Sequence, residues 1–126
     1  MNPAMDTMQS SGFSIVSDES LEKPLVKLTG NGDAAAVQPL DDYLIRLHEQ
    51  LRSQKSVGVL VDLTQLYFMN SSCIKAFASW IHDVDTSDAP YAVRMRFNPG
   101  LRWQKRTLET LTRLAPRIVQ LEEAVS

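Results

Sequence analysis

The period of apolar positions along this chain alternates between two and about three and a half residues, the signature of strands interleaved with helices. Residues 13–16 (FSIV) form a short β-prone run, ended by Ser17-Asp18-Glu19-Ser20. Residues 24–29 (PLVKLT) form a second, ended by Gly30-Asn31-Gly32-Asp33, a cluster that supplies turn conformations and stops a strand. The two runs can pair as a hairpin. Val37, Leu40, Leu44, Leu47 and Leu51 then recur at helical spacing, with Asp33 as a candidate N-cap and Pro39 tolerable in the first turn. Residues 57–63 (VGVLVDL) are almost continuously apolar and predict a strand buried on both faces, with residues 64–70 (TQLYFMN) as a loop or an extension of it. Ser71-Ser72 opens a second helix with Ile74, Phe77, Ile81 and Val84 on one face, closed by residues 85–88 and Pro90. Tyr91, Val93, Met95 and Phe97 alternate with Ala92, Arg94 and Arg96, a strand with one wet face. Asn98-Pro99-Gly100 is a turn. Leu101, Leu108, Leu111 and Leu114/Ala115 mark a third helix, Pro116 ends it, and residues 117–121 (RIVQL) make a last strand. The order is ββαβαβαβ: an α/β domain with a mixed sheet and helices mainly on one face.

Composition narrows the function classes. The chain has 126 residues, the length of one domain that can bury a core without disulfides or a structural metal. We read residues 1–12 as a flexible polar tail and 13–126 as the domain. Thirteen Lys and Arg against fifteen Asp and Glu leave a net charge of −2, which argues against a nucleic-acid binder. The single cysteine, Cys73, excludes an internal disulfide and a multi-cysteine metal site. No secretory signal and no apolar run of about 18 residues is present, so the expected location is the cytoplasm, with no membrane contact.

Ser71 and Ser72 follow an apolar strand and precede an apolar helix. Such serines commonly cap the helix. A nucleophilic serine needs a base, and only His48 and His82 are on offer. His82 lies three turns along the same helix, ~15 Å away, and the G-x-S-x-G elbow is missing. No paired carboxylates, triad or metal cluster is visible, so the chain reads as a non-enzyme without cofactor. Phosphorylation suits the position better. A helix N-terminus favours a phosphate, which adds about −1.5 to −2 charges without requiring unfolding.

The order ββαβαβαβ, the stretch Leu28-Thr29-Gly30-x-x-Asp33, and above all Phe68-Met69-Asn70-Ser71-Ser72 before a helix resemble the STAS domain of anti-sigma factor antagonists. The resemblance covers residues 13–123. It implies that Ser71, or with less support Ser72, is phosphorylated by a partner serine kinase, often itself an anti-sigma factor, and reset by a Ser/Thr phosphatase. It implies a partner surface of Asn31, Asp33, Asn70, Ser72 and Lys75. Asn70 stands where the family pattern has an acidic residue, and Cys73 where it has glycine. Residues 70–76 (NSSCIKA) are closer to a divergent branch, the SiaC-type regulators, in which the phospho-switch controls a diguanylate cyclase. A constitutive scaffold subunit of a signalling complex is the further alternative.

The remaining candidates carry plainer readings. Cys73 is a small buried residue or a helix-N-terminal reactive thiol. Lys75 is a solvated charge or a phosphate contact. Arg94, Arg96, Arg102, Lys105 and Arg106 form a solvated basic group, and Trp80 and Trp103 are part-buried or interface anchors.

Overall fold

A computed structural model describes residues 5–10, 12–18 and 24–124. The strands are β1 (Met5–Ser10), β2 (Phe13–Asp18), β3 (Leu25–Gly32), β4 (Gly58–Met69), β5 (Ala92–Phe97) and β6 (Val119–Glu123). The helices are α1 (Val37–Ser53), α2 (Ser71–Thr86) and α3 (Arg102–Leu114), α1 being preceded by a 3-10 turn, Ala34–Ala36. The six strands lie in chain order in one sheet. β1, β2 and β3 are antiparallel, whereas β3 to β6 are parallel neighbours joined by helices.

In-register positions explain why the helices collect on one face. Ile15 pairs with Leu28, Val26 with Val61, Val61 with Met95 and Met95 with Leu121. That row faces the helices and closes on Leu40, Leu44, Leu47, Phe77, Ile81 and Leu108. The row on the other face runs Lys27, Asp62, Arg96, Glu122, alternating in charge. Arg96 Nε reaches Glu122 Oε2 at 2.7 Å, and opposite charges across neighbouring strands favour the pairing. No helix among the described residues is long and apolar enough to cross a membrane.

The predicted elements form, with two corrections and two open readings resolved. Residues 5–10, assigned to a flexible tail, pair along the whole of β2 as its antiparallel neighbour; backbone hydrogen bonding makes a strand without an apolar signal. The rest of that reading, residues 1–4 and 11, falls outside the described residues. The strand expected at 57–63 is not buried on both faces: Val57 stays outside it and exposed, and Leu60 is half-covered between Leu25 and Arg94, because the helices cover one face only. Of the two readings of residues 64–70, a loop or an extension of the strand, the extension forms, through Met69. At the last position of the third helix's stripe, read as Leu114/Ala115, Ala115 is buried and Leu114 is exposed.

Candidate functional site

The C-terminal ends of the parallel strands β3 and β4 meet at the N-terminus of α2. Asn31 pairs with Phe68 and Gly32 with Met69. Asn70 N–H donates to the Gly32 carbonyl at 2.8 Å, and the Cys73 thiol lies 3.5 Å from the same oxygen. The packing at Gly32 is close: a Cβ there would sit 3.2 Å from the Phe68 carbonyl oxygen and 3.5 Å from Cys73 Sγ. The fold therefore brings Asn31 and Asp33 against Asn70, Ser71 and Ser72, with Lys75 one turn further along α2.

Asn70, rather than either serine, caps α2. Its side-chain oxygen accepts from Cys73 N–H at 2.9 Å, from an extended backbone (φ −77°, ψ 170°). Ser71 and Ser72 are the first two helical residues, both exposed, and no described residue holds either hydroxyl. Helical spacing separates the two. Ser72 shares its side of α2 with Ala76, Ser79 and Asp83, which line a groove of about 250 Å³ against α1. Ser71 shares its side with Ala78 and His82, which border Leu114 of α3. Lys75 lies four residues from Ser71, within side-chain reach on the helix surface.

Asp33 caps the 3-10 turn before α1, accepting from Ala35 N–H at 3.1 Å. It was expected to cap α1 itself; the short turn intervenes. The Cys73 thiol is pushed above its usual range, first by burial and then by the Asp33 carboxylate, both of which favour the protonated form. The reading of Cys73 as buried filling holds; the activated thiol does not.

Neither histidine serves Ser71. His48 Nδ1 lies 2.8 Å from the Tyr91 hydroxyl, which also accepts from Trp80 Nε1 at 3.0 Å. Tyr91 precedes β5 at the end of the sheet where β4 begins, opposite the end where Ser71 follows β4. No group of His, Cys, Asp and Glu among the described residues could hold a metal ion.

Sequence reasoning left the second half of β4 open, as a loop or an extension of the strand. Two irregularities interrupt its pairing with β3, one opposite Leu28 and one at Tyr67, between the pairs Gly30–Leu66 and Asn31–Phe68. A β-bulge shifts the side-chain phase: Leu66 and Met69 are both buried, while Tyr67 and Phe68 between them are 57% and 48% exposed. β5 pairs with β4 only as far as Asp62. Beyond it, side chains take over the free carbonyls: Gln104 Nε2 serves Leu63 and Leu66, Asn98 Nδ2 serves Thr64, and Trp103 Nε1 serves Tyr67 at 2.9 Å. The adjacent apolar residues Leu66, Tyr67, Phe68 and Met69, which fit neither period, were the available signal. The basic group expected around residues 94–106 is split. Arg94 and Arg96 engage Glu122 on the open sheet face, while Arg102, Lys105 and Arg106 lie exposed on α3.

The sequence matches no family model, and no curated protein matches it. Among solved structures the chain is similar to the Bacillus cell fate determinant SpoIIAA in its phosphorylated form, with a TM-score of 0.53 and 14% identity over 98% of this chain and 93% of that one. The likeness is one of fold: the chain has the STAS-like mixed α/β architecture.

Proposed function

We propose that this chain is a non-catalytic regulatory protein of STAS type. Phosphorylation of Ser71 controls its hold on a partner, a serine kinase or anti-sigma factor, and a Ser/Thr phosphatase resets it. One observation carries the reading: Asn70 fills the cap, so the Ser71 hydroxyl is exposed and unengaged at the first position of α2. A phosphate there meets the open end of the helix, with Lys75 four residues away. It adds about −1.5 to −2 charges to the surface bearing Asn31, Asp33 and Ser72 without touching a bond that holds the fold. The partner is thus discouraged by charge while the domain stays folded. The fold neighbour, solved in a phosphorylated form, supports this. The run Asn70 to Ala76 supports a second partner class, a diguanylate cyclase.

The test is to incubate the protein with ATP and an extract of the cells that make it, as the source of serine kinase, and weigh it intact. We expect one added phosphoryl group on the wild type and none on Ser71→Ala. Equal labelling of Ser71→Ala overturns the assignment.

A further inference from the structure

Four exposed cations on this half of the molecule have no ion pair among the described residues: Lys75, Arg102, Lys105 and Arg106. Arg52, Arg94, Arg96 and Arg117 each meet a carboxylate, while Arg113, at the far end of α3, has no ion pair among the described residues. Arg102 even stands at the first position of α3, where a cation opposes the helix dipole and no side-chain cap offsets it. Beside these charges lies the aromatic step made by the bulge in β4. Tyr67 and Phe68 face solvent, and Trp103, half-buried, is fastened to the Tyr67 carbonyl. Arg106 is one helical turn from Trp103. Exposed Tyr, Phe and Trp rimmed by Arg are the composition of an interface centre.

We infer that the regulatory partner docks through an acidic segment carrying apolar side chains, laid across Tyr67, Phe68 and Trp103 and held by Lys75, Arg102 and Arg106. The charge of the occupant follows from the unpaired cations, and its apolar content from the exposed rings. Ser71 and Arg102 open α2 and α3 at the same end of the sheet, because the helices follow the parallel strands β4 and β5. The inference rests on the proposed role of Ser71 in one respect: a phosphate there competes with the partner's carboxylates for the same cations.

The test uses the full-length, 15N-labelled protein and a synthetic glutamate-rich peptide with a central Leu-Phe pair, followed by NMR titration. The Trp103 indole N–H and the amides of Tyr67, Phe68 and Arg102 should shift most. Arg102→Glu combined with Arg106→Glu, at positions free of described contacts, should weaken the peptide at least tenfold. Shifts centred elsewhere, equal binding of a lysine-rich counterpart, or tighter binding of a thymidine oligonucleotide at the same residues would overturn the inference. Ser71→Asp separates the two proposals. If it leaves peptide affinity unchanged while the arginine reversal abolishes it, the docking surface stands and phosphoryl control at Ser71 falls.

Discussion

Gln104, fully buried in the first turn of α3, donates from Nε2 to the carbonyl of Leu66 on β4, 2.9 Å away. The same nitrogen reaches the Leu63 carbonyl at 2.6 Å, and Oε1 accepts from Asn98 N–H at 2.8 Å. One amide thus does for the outer half of β4 what a neighbouring strand does for the inner half. Its replacement by leucine keeps the volume and removes both donors. A buried acceptor left unmet costs about 1–3 kcal/mol, so Gln104→Leu should lose about 2–4 kcal/mol in denaturant unfolding, against almost nothing for Arg102→Ala.

The cap at Asn70 makes a paired prediction. Asn70→Ala should destabilise by about 1 kcal/mol, as loss of an N-cap does. Ser71→Ala should stay within about 0.5 kcal/mol of wild type, as surface changes do. Urea denaturation followed by circular dichroism reads both. A larger loss at Ser71 than at Asn70 would place the cap on the serine.

Gly30 has φ +94°, and a Cβ on it would lie 2.0 Å from the Gly12 carbonyl oxygen. That oxygen accepts from Asn31 N–H, so the clash cannot be relieved without breaking the turn. Gly30→Ala should cost at least about 2 kcal/mol, combining backbone strain with the contact. Gly100→Ala, which meets only the Asn98 side-chain oxygen at 3.1 Å, should be milder. Melting temperatures of the two variants rank them.

His48 is held below its ordinary value of 6.5, chiefly by burial, although Asp83 pulls the other way. Since Trp80 donates to the Tyr91 oxygen, the Tyr91 proton is left to donate to a neutral His48 Nδ1. The unfolded chain therefore binds the proton more readily than the folded one. Stability contributed by this group is complete above pH 6.5 and falls as the pH drops below it. Unfolding free energy measured from pH 7.5 to 5 should decline with a slope that His48→Gln reduces. An unchanged slope would place the dependence on other groups.

The three helices were legible because burial on one face imposes its spacing directly, as at Leu40, Leu44, Leu47 and Leu51. The strand at 92–97 was legible because Val93 and Met95 face helices while Arg94 and Arg96 face solvent. The juxtaposition of Asn31 and Asp33 with Asn70 and Ser71 was legible only through the STAS resemblance, since the pairing of β3 with β4 joins residues almost forty apart. Other features left no periodic trace. Two bulges break the phase of β4, so Tyr67 and Phe68 read equally as a loop or a strand extension. Gln104 looks like any polar helix residue until its carbonyl partners are in place. Asn70 and Ser71 are both good caps, and only the backbone geometry decides between them.

The strand at residues 5–10 bears on solubility. It covers the outer edge of β2 from the Met5–Asp18 pair to the Ser10–Phe13 pair. Without it, the hydrogen-bonding groups of β2 would form an open sheet margin, a ready template for a second chain. A protein shortened to begin at residue 12 should keep its helices and its core, yet self-associate as concentration rises. With the leading segment in place the sheet ends on β1 (MDTMQS) instead of on β2 (FSIVSD), so the margin it offers carries a more polar sequence.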